Sequence, residues 1–179
     1  MADDCVQGLQ TLLTTDLTAD GPYIAENLNR MAGAEQVYRQ SFLPDGHFLV
    51  ETISPEGQPD TLHYQGGAWN SDGACGWTLA WQMDAEDAAA GIEAQRQSMA
   101  QGVLSATCTA NIDGTERIEG MIGPTPQFGP ELSVGYVVDA DTRQVHQLTC
   151  AYTLYGMSVE PQYDIRRAPY LTLPLLPGQ

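Results

Sequence analysis

Hydrophobic and polar positions alternate with a period of two along most of this chain, and change to a helical period in three places. The alternation is clearest from Glu35 to Gln82, where runs of strand-forming residues are divided by turn chemistry. The turns fall at Pro44-Asp45-Gly46, Ser54-Pro55-Glu56-Gly57, Gly66-Gly67 and Ser71-Asp72-Gly73. Proline presets φ for a turn and glycine accepts the positive φ that other residues resist. The stretch therefore predicts an antiparallel meander. Tyr38 and Phe42 share one face of its first strand. The second strand is apolar on both sides, with Phe48 and Val50 on one face and Leu49 and Ile53 on the other. Leu62 and Tyr64 alternate with Thr61 and His63. Trp77, Leu79 and Trp81 alternate with Thr78 and Ala80, which predicts a single inward stripe. Trp69 completes the set of three tryptophans, all inside this stretch.

The second half returns to the same period. Leu104, Ala106, Cys108, Ala110 and Ile112 alternate up to an Asp113-Gly114 turn, which leads into a partner strand over 115–122. Residues 123–131, GPTPQFGPE, are loop material. Leu132, Val134, Tyr136 and Val138 alternate, and further strands are expected over 145–154 and 159–165. The tail over 168–179 carries three prolines and is expected to be extended.

The three helical stretches are distinct. Val6, Leu9, Leu12 and Leu13 follow Asp3 and Asp4, either of which can cap a helix running to about Leu17. Gly8 weakens that helix, and the threonines near its end favour an early stop. Asp20-Gly21-Pro22 breaks the pattern; Pro22 then suits the first turn of a second helix, with Ile24, Leu28 and Met31 as its stripe and Gly33 as its stop. The third, over 84–102, is alanine-rich, has acids in its first turn and ends at Gly102. Its small side chains suit a helix lying close to a sheet or acting as a movable cover.

Composition narrows the partners. A chain of 179 residues with 42% hydrophobic residues fits one folded domain, 1–179. The net charge is −16, and all seven cations are arginines. Such a surface repels a phosphate backbone and an anionic membrane, which excludes nucleic-acid binding and electrostatic membrane docking. No apolar run reaches the ~18 residues of a transmembrane helix, so an integral membrane protein is not expected. The chain opens Met1-Ala2-Asp3-Asp4-Cys5 with no signal peptide, as expected for the mature form of an exported protein.

Cys5, Cys75, Cys108 and Cys150 fit no zinc spacing, and their even number predicts two disulfides in an oxidising compartment. Three pairings are open to four cysteines; Cys5–Cys75 with Cys108–Cys150 is favoured, because the latter two lie on predicted strands of the second half. No phosphate loop, Gly-x-Ser-x-Gly or His-Glu-x-x-His is present. The histidines at 47, 63 and 146 all fall on strands without metal-ligand spacing, and the numerous carboxylates single out no acid–base pair. No catalytic residue, metal or cofactor is expected. What remains is a surplus of apolar and aromatic surface on a sheet with helices.

That order of elements, with Val37-Tyr38-Arg39, Leu43 to Phe48, Gly66 to Gly73 and Gly76-Trp77, resembles the bacterial periplasmic lipoprotein-carrier fold. This is the LolA-like superfamily, which also includes mycobacterial lipid carriers of the LppX/LprG type. The resemblance covers about a third of the chain plus the element order. It implies an α+β fold, a curved and incompletely closed antiparallel sheet (a half barrel) with helices across its concave face. It implies a cavity for acyl chains there, with Arg39 near the cavity.

On this reading Phe48, Val50, Leu62, Tyr64 and Trp69 line the cavity together with Trp77, Leu79, Trp81 and Tyr136. The expected function is that of an exported, non-enzymatic carrier holding a lipid, acyl chain or other apolar ligand, with another envelope protein as a further partner. The alternative is an envelope interaction module with a collapsed cavity, which contacts a partner through edge strands, the 123–131 loop or the tail.

Overall fold

The computed structural model describes residues 2–73 and 76–176. The segments of period two become eleven strands: β1 Tyr23–Met31, β2 Ala34–Phe42, β3 Phe48–Ser54, β4 Thr61–Tyr64, β5 Gly67–Ser71, β6 Trp77–Gln82, β7 Val103–Ala110, β8 Thr115–Ile122, β9 Leu132–Asp139, β10 Val145–Leu154 and β11 Met157–Arg167. Helix α1 spans Ala2–Thr14 and α2 spans Ala85–Gln101. A 3-10 turn follows α1 at Leu17–Asp20. All strands join one sheet in the order β6-β5-β4-β3-β2-β1-β11-β10-β9-β8-β7. Every pairing is antiparallel. The two end strands, β6 and β7, do not pair, so the sheet stays open.

The chain itself dictates that this sheet is curled. Laid flat, the ten gaps between eleven strands would set the edges ~48 Å apart. Yet α2 connects one edge to the other, leaving β6 at Gln82 and entering β7 at Val103. Its 17 residues reach ~26 Å. The edges must therefore bend toward the helix, and α2 lies across the mouth of the resulting half barrel. This is the architecture that the resemblance implied.

Residues 22–33 are a strand and hairpin, not the second helix expected. Ala32 and Gly33 both hold positive φ, 51° and 83°, the requirement of a two-residue type I′ turn. Met31 pairs with Ala34 across it. The stripe of Ile24, Leu28 and Met31 fits a helix in isolation, but β1 sits between β2 and β11 at the middle of the sheet. There its alternate residues Tyr23, Ala25 and Asn27 are buried while Glu26 is exposed. Partners on both edges outweigh a local helical spacing.

Cross-strand register assigns side chains to faces, because paired residues share a face and neighbours alternate. The concave face of β7–β10 holds the main core. Leu9, Leu12 and Leu13 of α1 pack there on Ile118, Ile122, Leu132, Val134, Tyr136 and Val138. Gly120 permits the approach: a Cβ there would lie 2.4 Å from Leu9 Cδ2 and 2.4 Å from the Ser105 carbonyl oxygen. On the convex face, the tail over 171–176 runs beside Leu43, His47, Leu62 and Tyr64 around a groove of about 360 Å³. That cover explains why Leu62 is buried on the outward side.

The disulfide pairing is Cys5–Cys108, not the expected Cys5–Cys75 with Cys108–Cys150. Helix α1 lies over β7, which brings Cys5 to Cys108, whereas Cys150 is unbonded on β10. Burial pushes the Cys150 thiol up to about 12, so it is protonated and packs as an apolar group. Cys75 lies outside the described residues.

Two stability measurements follow. The Cys5–Cys108 bridge closes a loop of 103 residues, and removing it as Cys5→Ser/Cys108→Ser is expected to cost about 2–5 kcal/mol in denaturant unfolding. Cys150→Ser leaves the bridge intact in a peptide map. Gly120→Val is expected to cost about 1–3 kcal/mol, because the new side chain must displace α1 from the sheet; an unchanged midpoint would mean that α1 docks elsewhere.

Candidate ligand-binding face

The concave face changes character at β1. On one side are the aliphatic core and α1. On the other, over β1–β6, the rows are aromatic or amide-bearing.

The first row follows the register across the sheet: Tyr23 pairs with Phe42, Phe42 with Phe48, Phe48 with His63, His63 with Ala68, and Ala68 with Trp81. The rings stack. Tyr23 and Phe42 centroids are 4.6 Å apart, Phe42 and Phe48 5.3 Å, and Phe48 and His63 4.0 Å at an interplanar angle of 7°. Trp81 meets His63 edge-on at 6.1 Å, across the small side chain of Ala68. Exposure rises along the row. Tyr23 is buried, Phe42, Phe48 and His63 are half-buried, and Trp81 is 49% exposed.

The buried end is closed by Arg167, which donates to the carbonyl oxygens of Leu17 at 2.6 Å and Gly21 at 3.1 Å, and to Asp20 at 3.2 Å. Its guanidinium lies 6.0 Å from the Tyr23 ring centroid. Burial, then the Asp16 charge, pushes the Tyr23 phenol up to about 12 despite Arg96 and Arg167 nearby. The row is thus sealed at β1 and open at β6.

One inserted residue decides where Trp81 points. The β5–β6 register shifts between Ala68 and Trp69: Ala68 pairs with Trp81, but Trp69 pairs with Leu79. The extra residue, Ala80, forms a bulge that reverses the alternation beyond it. The expected inward stripe of Trp77, Leu79 and Trp81 is therefore split. Trp81 belongs to the concave face, and Trp77 and Leu79 to the convex face with Trp69, whose indole covers Gly67.

The other expected site residues divide in the same way. Phe48, Val50 and Tyr136 are concave, Tyr136 within the aliphatic core. Leu62 and Tyr64 are convex, beneath the tail. Arg39 is also convex, opposite Glu26 and Glu51 in the register and 3.8 Å from the Glu26 carboxylate. Sequence alternation alone did not single out Tyr23, Phe42 and His63, which the register adds to the face.

Helix α2 leaves the β6 edge of this face and packs on α1 at its far end. Asp84 caps its start by accepting from the Glu86 and Asp87 amides at 2.8 and 3.4 Å. The Met83 amide donates to Gly66 at 2.9 Å, and Gln82 Nε2 to Gln65 at 3.1 Å, so the helix start is tied to the β4–β5 turn. At its other end Ala100 is buried and its carbonyl accepts from Gln10 of α1 at 3.1 Å. Arg96 lies 3.8 Å from Asp16. Between these anchors, residues 85–94 are exposed except for half-buried Ala88. Ile92, an apolar residue, is 52% exposed there.

No group of three metal-ligating side chains occurs among the described residues. No helix among the described residues is long and apolar enough to cross a membrane.

No protein-family model and no curated protein matches the sequence. Two solved structures are similar in outline. One is a provisionally assigned outer membrane lipoprotein-sorting protein domain from Vibrio parahaemolyticus, at 12% identity and a TM-score of 0.41, covering 93% of this chain and 92% of that one. The other is a DUF1329 family protein from Desulfovibrio piger, at 11% identity and a TM-score of 0.36, covering 94% of this chain and 92% of that one.

The ring row makes a pH prediction. Burial lowers the His63 pKa below its ordinary value, so the folded protein takes up its proton at lower pH than the unfolded chain does. The unfolded state then binds more protons as pH falls through about 6.5, and stability is lost in that window. His47, on the convex face, is lowered by burial against the opposing pull of Asp45 and adds in the same direction. Comparing thermal melts at pH 7 and pH 5, His63→Phe is expected to lose less stability than the wild type. An equal loss would show that His63 titrates freely.

Proposed function

We propose that this protein is a non-enzymatic carrier that holds a lipid, acyl chain or other apolar ligand on the concave face of β1–β6, beneath α2. The observation that carries this reading is the pairing of an open aromatic row with a helix anchored at both ends and unpacked along its first half. Trp81 and Met83 at the end of β6 and Ile92 on α2 are respectively 49%, 47% and 52% exposed. Apolar groups left in water cost free energy, and an apolar ligand recovers about 0.8 kcal/mol per CH₂ removed from water. The ligand would enter at the β6 edge and lie along Trp81, His63, Phe48 and Phe42, and residues 85–94 would close over it. Arg39, Leu62, Tyr64, Trp69, Trp77 and Leu79 belong to the outward side in this account. They support the wall rather than touch the ligand.

A location outside the cytosol agrees with this reading. A disulfide that staples a helix to a sheet edge belongs to an oxidising compartment, such as a periplasm. An enzyme is disfavoured by the chemistry of the face. By register, no carboxylate stands on its concave rows from β1 to β6, and its histidine is stacked between rings.

A second reading, an interaction module that meets another envelope protein, draws on β6. This strand is an unpaired edge with Leu79 51% exposed on the convex side, a form open to strand addition. The other contact points considered for a module are engaged internally. Phe128 of the 123–131 loop packs edge-on to Tyr152 at 5.0 Å, and the tail covers Leu62.

Binding of the neutral apolar fluorophore N-phenylnaphthylamine separates the two faces. Trp81→Ala is expected to weaken its binding about tenfold, about 1.4 kcal/mol, and Trp77→Ala to leave it unchanged. Equal effects of both substitutions, or none, would contradict a ligand on the concave face. Native mass spectrometry of gently purified protein is expected to show a co-purifying lipid, whereas a stoichiometric protein partner without lipid would favour the module.

A further inference from the structure

The rows below the aromatic one are not those of a purely apolar cavity. Continuing down the concave face, the register sets Ala25, Gln40, Val50, Thr61, Asn70 and Thr78 in one row. Asn27, Tyr38 and Thr52 follow, then Asn29 and Gln36. These are amides and hydroxyls. The chain carries 23 acids and seven arginines, yet the charged residues of β1–β3 (Glu26, Arg30, Glu35, Arg39 and Glu51) all fall on the convex side of the same register. The concave face of β1–β6 is polar, uncharged and bordered by stacked rings.

Two of its acceptors are unused. Asn27 is 5% exposed, and its side-chain oxygen has no hydrogen-bond partner, although its side chain does hydrogen-bond Tyr163. The Asn29 side-chain oxygen is likewise buried and unpaired. An unpaired buried acceptor is costly, and a ligand that brings neutral donors removes that cost once the side chains over these atoms part. A phosphate or carboxylate supplies acceptors, the wrong half of the bond, and the two cations near this face are engaged, Arg167 on Leu17, Asp20 and Gly21 and Arg96 beside Asp16. A cationic head finds no carboxylate on the strand rows themselves. A polyhydroxylated ring supplies both parts needed: hydroxyl donors around its rim, and C–H faces that pack on the electron-rich faces of aromatic rings.

We infer that the ligand of this face carries a neutral saccharide or polyol group, which stacks on Phe48 and His63 and donates to the amides beneath them. This deepens the carrier reading and rests on it. The apolar part of such a ligand meets Trp81, Met83 and Ile92, and the sugar lies further in.

Two neutral amphiphiles with the same twelve-carbon chain test the inference below their micellar concentrations. Dodecyl maltoside offers hydroxyl donors; the dodecyl ether of octaethylene glycol offers almost only acceptors. Titration of the full chain, followed by tryptophan fluorescence and calorimetry, is expected to show the maltoside binding about tenfold tighter. Asn27→Leu and, independently, the half-buried Gln40→Leu are expected to bring the two affinities together mainly by weakening the maltoside. The second variant keeps the test decisive if the first fails to fold. Equal affinities in the wild type would overturn the saccharide inference and leave the carrier reading standing. Binding of neither amphiphile would overturn both.

Discussion

A helix too short for the sheet it spans is the constraint on which this structure depends. Eleven strands in a row are nearly twice as wide as α2 is long, and α2 is the only link between the two edge strands. The sheet therefore curls, and one face becomes concave. The same linkage suspends α2 over that face. Its last turns are held by α1 and its first residues by the β4–β5 turn, and residues 85–94 between them are exposed apart from half-buried Ala88. A helix with a shallow, alanine-rich face suits this position, because it gains little by packing down and loses little by lifting.

Two packed layers hold the frame beside α2. On the concave side, α1 is clamped to β7–β9 by Leu9 against Gly120 and by the Cys5–Cys108 bridge. On the convex side, the tail lies over Leu62. Both layers leave the concave face of β2–β6 uncovered. The chain thus places its rigid packing on one half of the barrel and its exposed rings on the other, a division expected of a binding face supported by a separate core.

Much of the fold was legible in the sequence because turn chemistry is local. Glycines and prolines marked most strand ends, the Ala-rich run announced α2, and the resemblance supplied the half barrel. What failed depended on neighbours distant in sequence. Residues 22–33 carry a helical stripe and a plausible proline start, and only pairing with β2 and β11 makes them a strand. Cys5 finds Cys108 because α1 docks on β7, which no spacing encodes. The single residue Ala80 turns Trp81 inward and leaves Trp77 and Leu79 outside, whereas strict alternation puts all three together. The ring row of the candidate site was legible only in part for the same reason: Phe48 and Trp81 were expected there, Tyr23, Phe42 and His63 were not. Tyr23, Phe42, Phe48, His63 and Trp81 meet only through the registers of five successive strand pairs.

The account stands or falls on whether α2 is a cover held at its ends. Amide hydrogen exchange of the ligand-free protein, resolved along residues 85–101, tests this directly. The account predicts rapid exchange over 85–94, slow exchange over 95–101 where the helix rests on α1, and slowing of the first segment when an amphiphile binds. Equally slow exchange along the whole helix in the free protein, unaltered by ligand, would mean that α2 is an ordinary packed element and that the concave face is not a site.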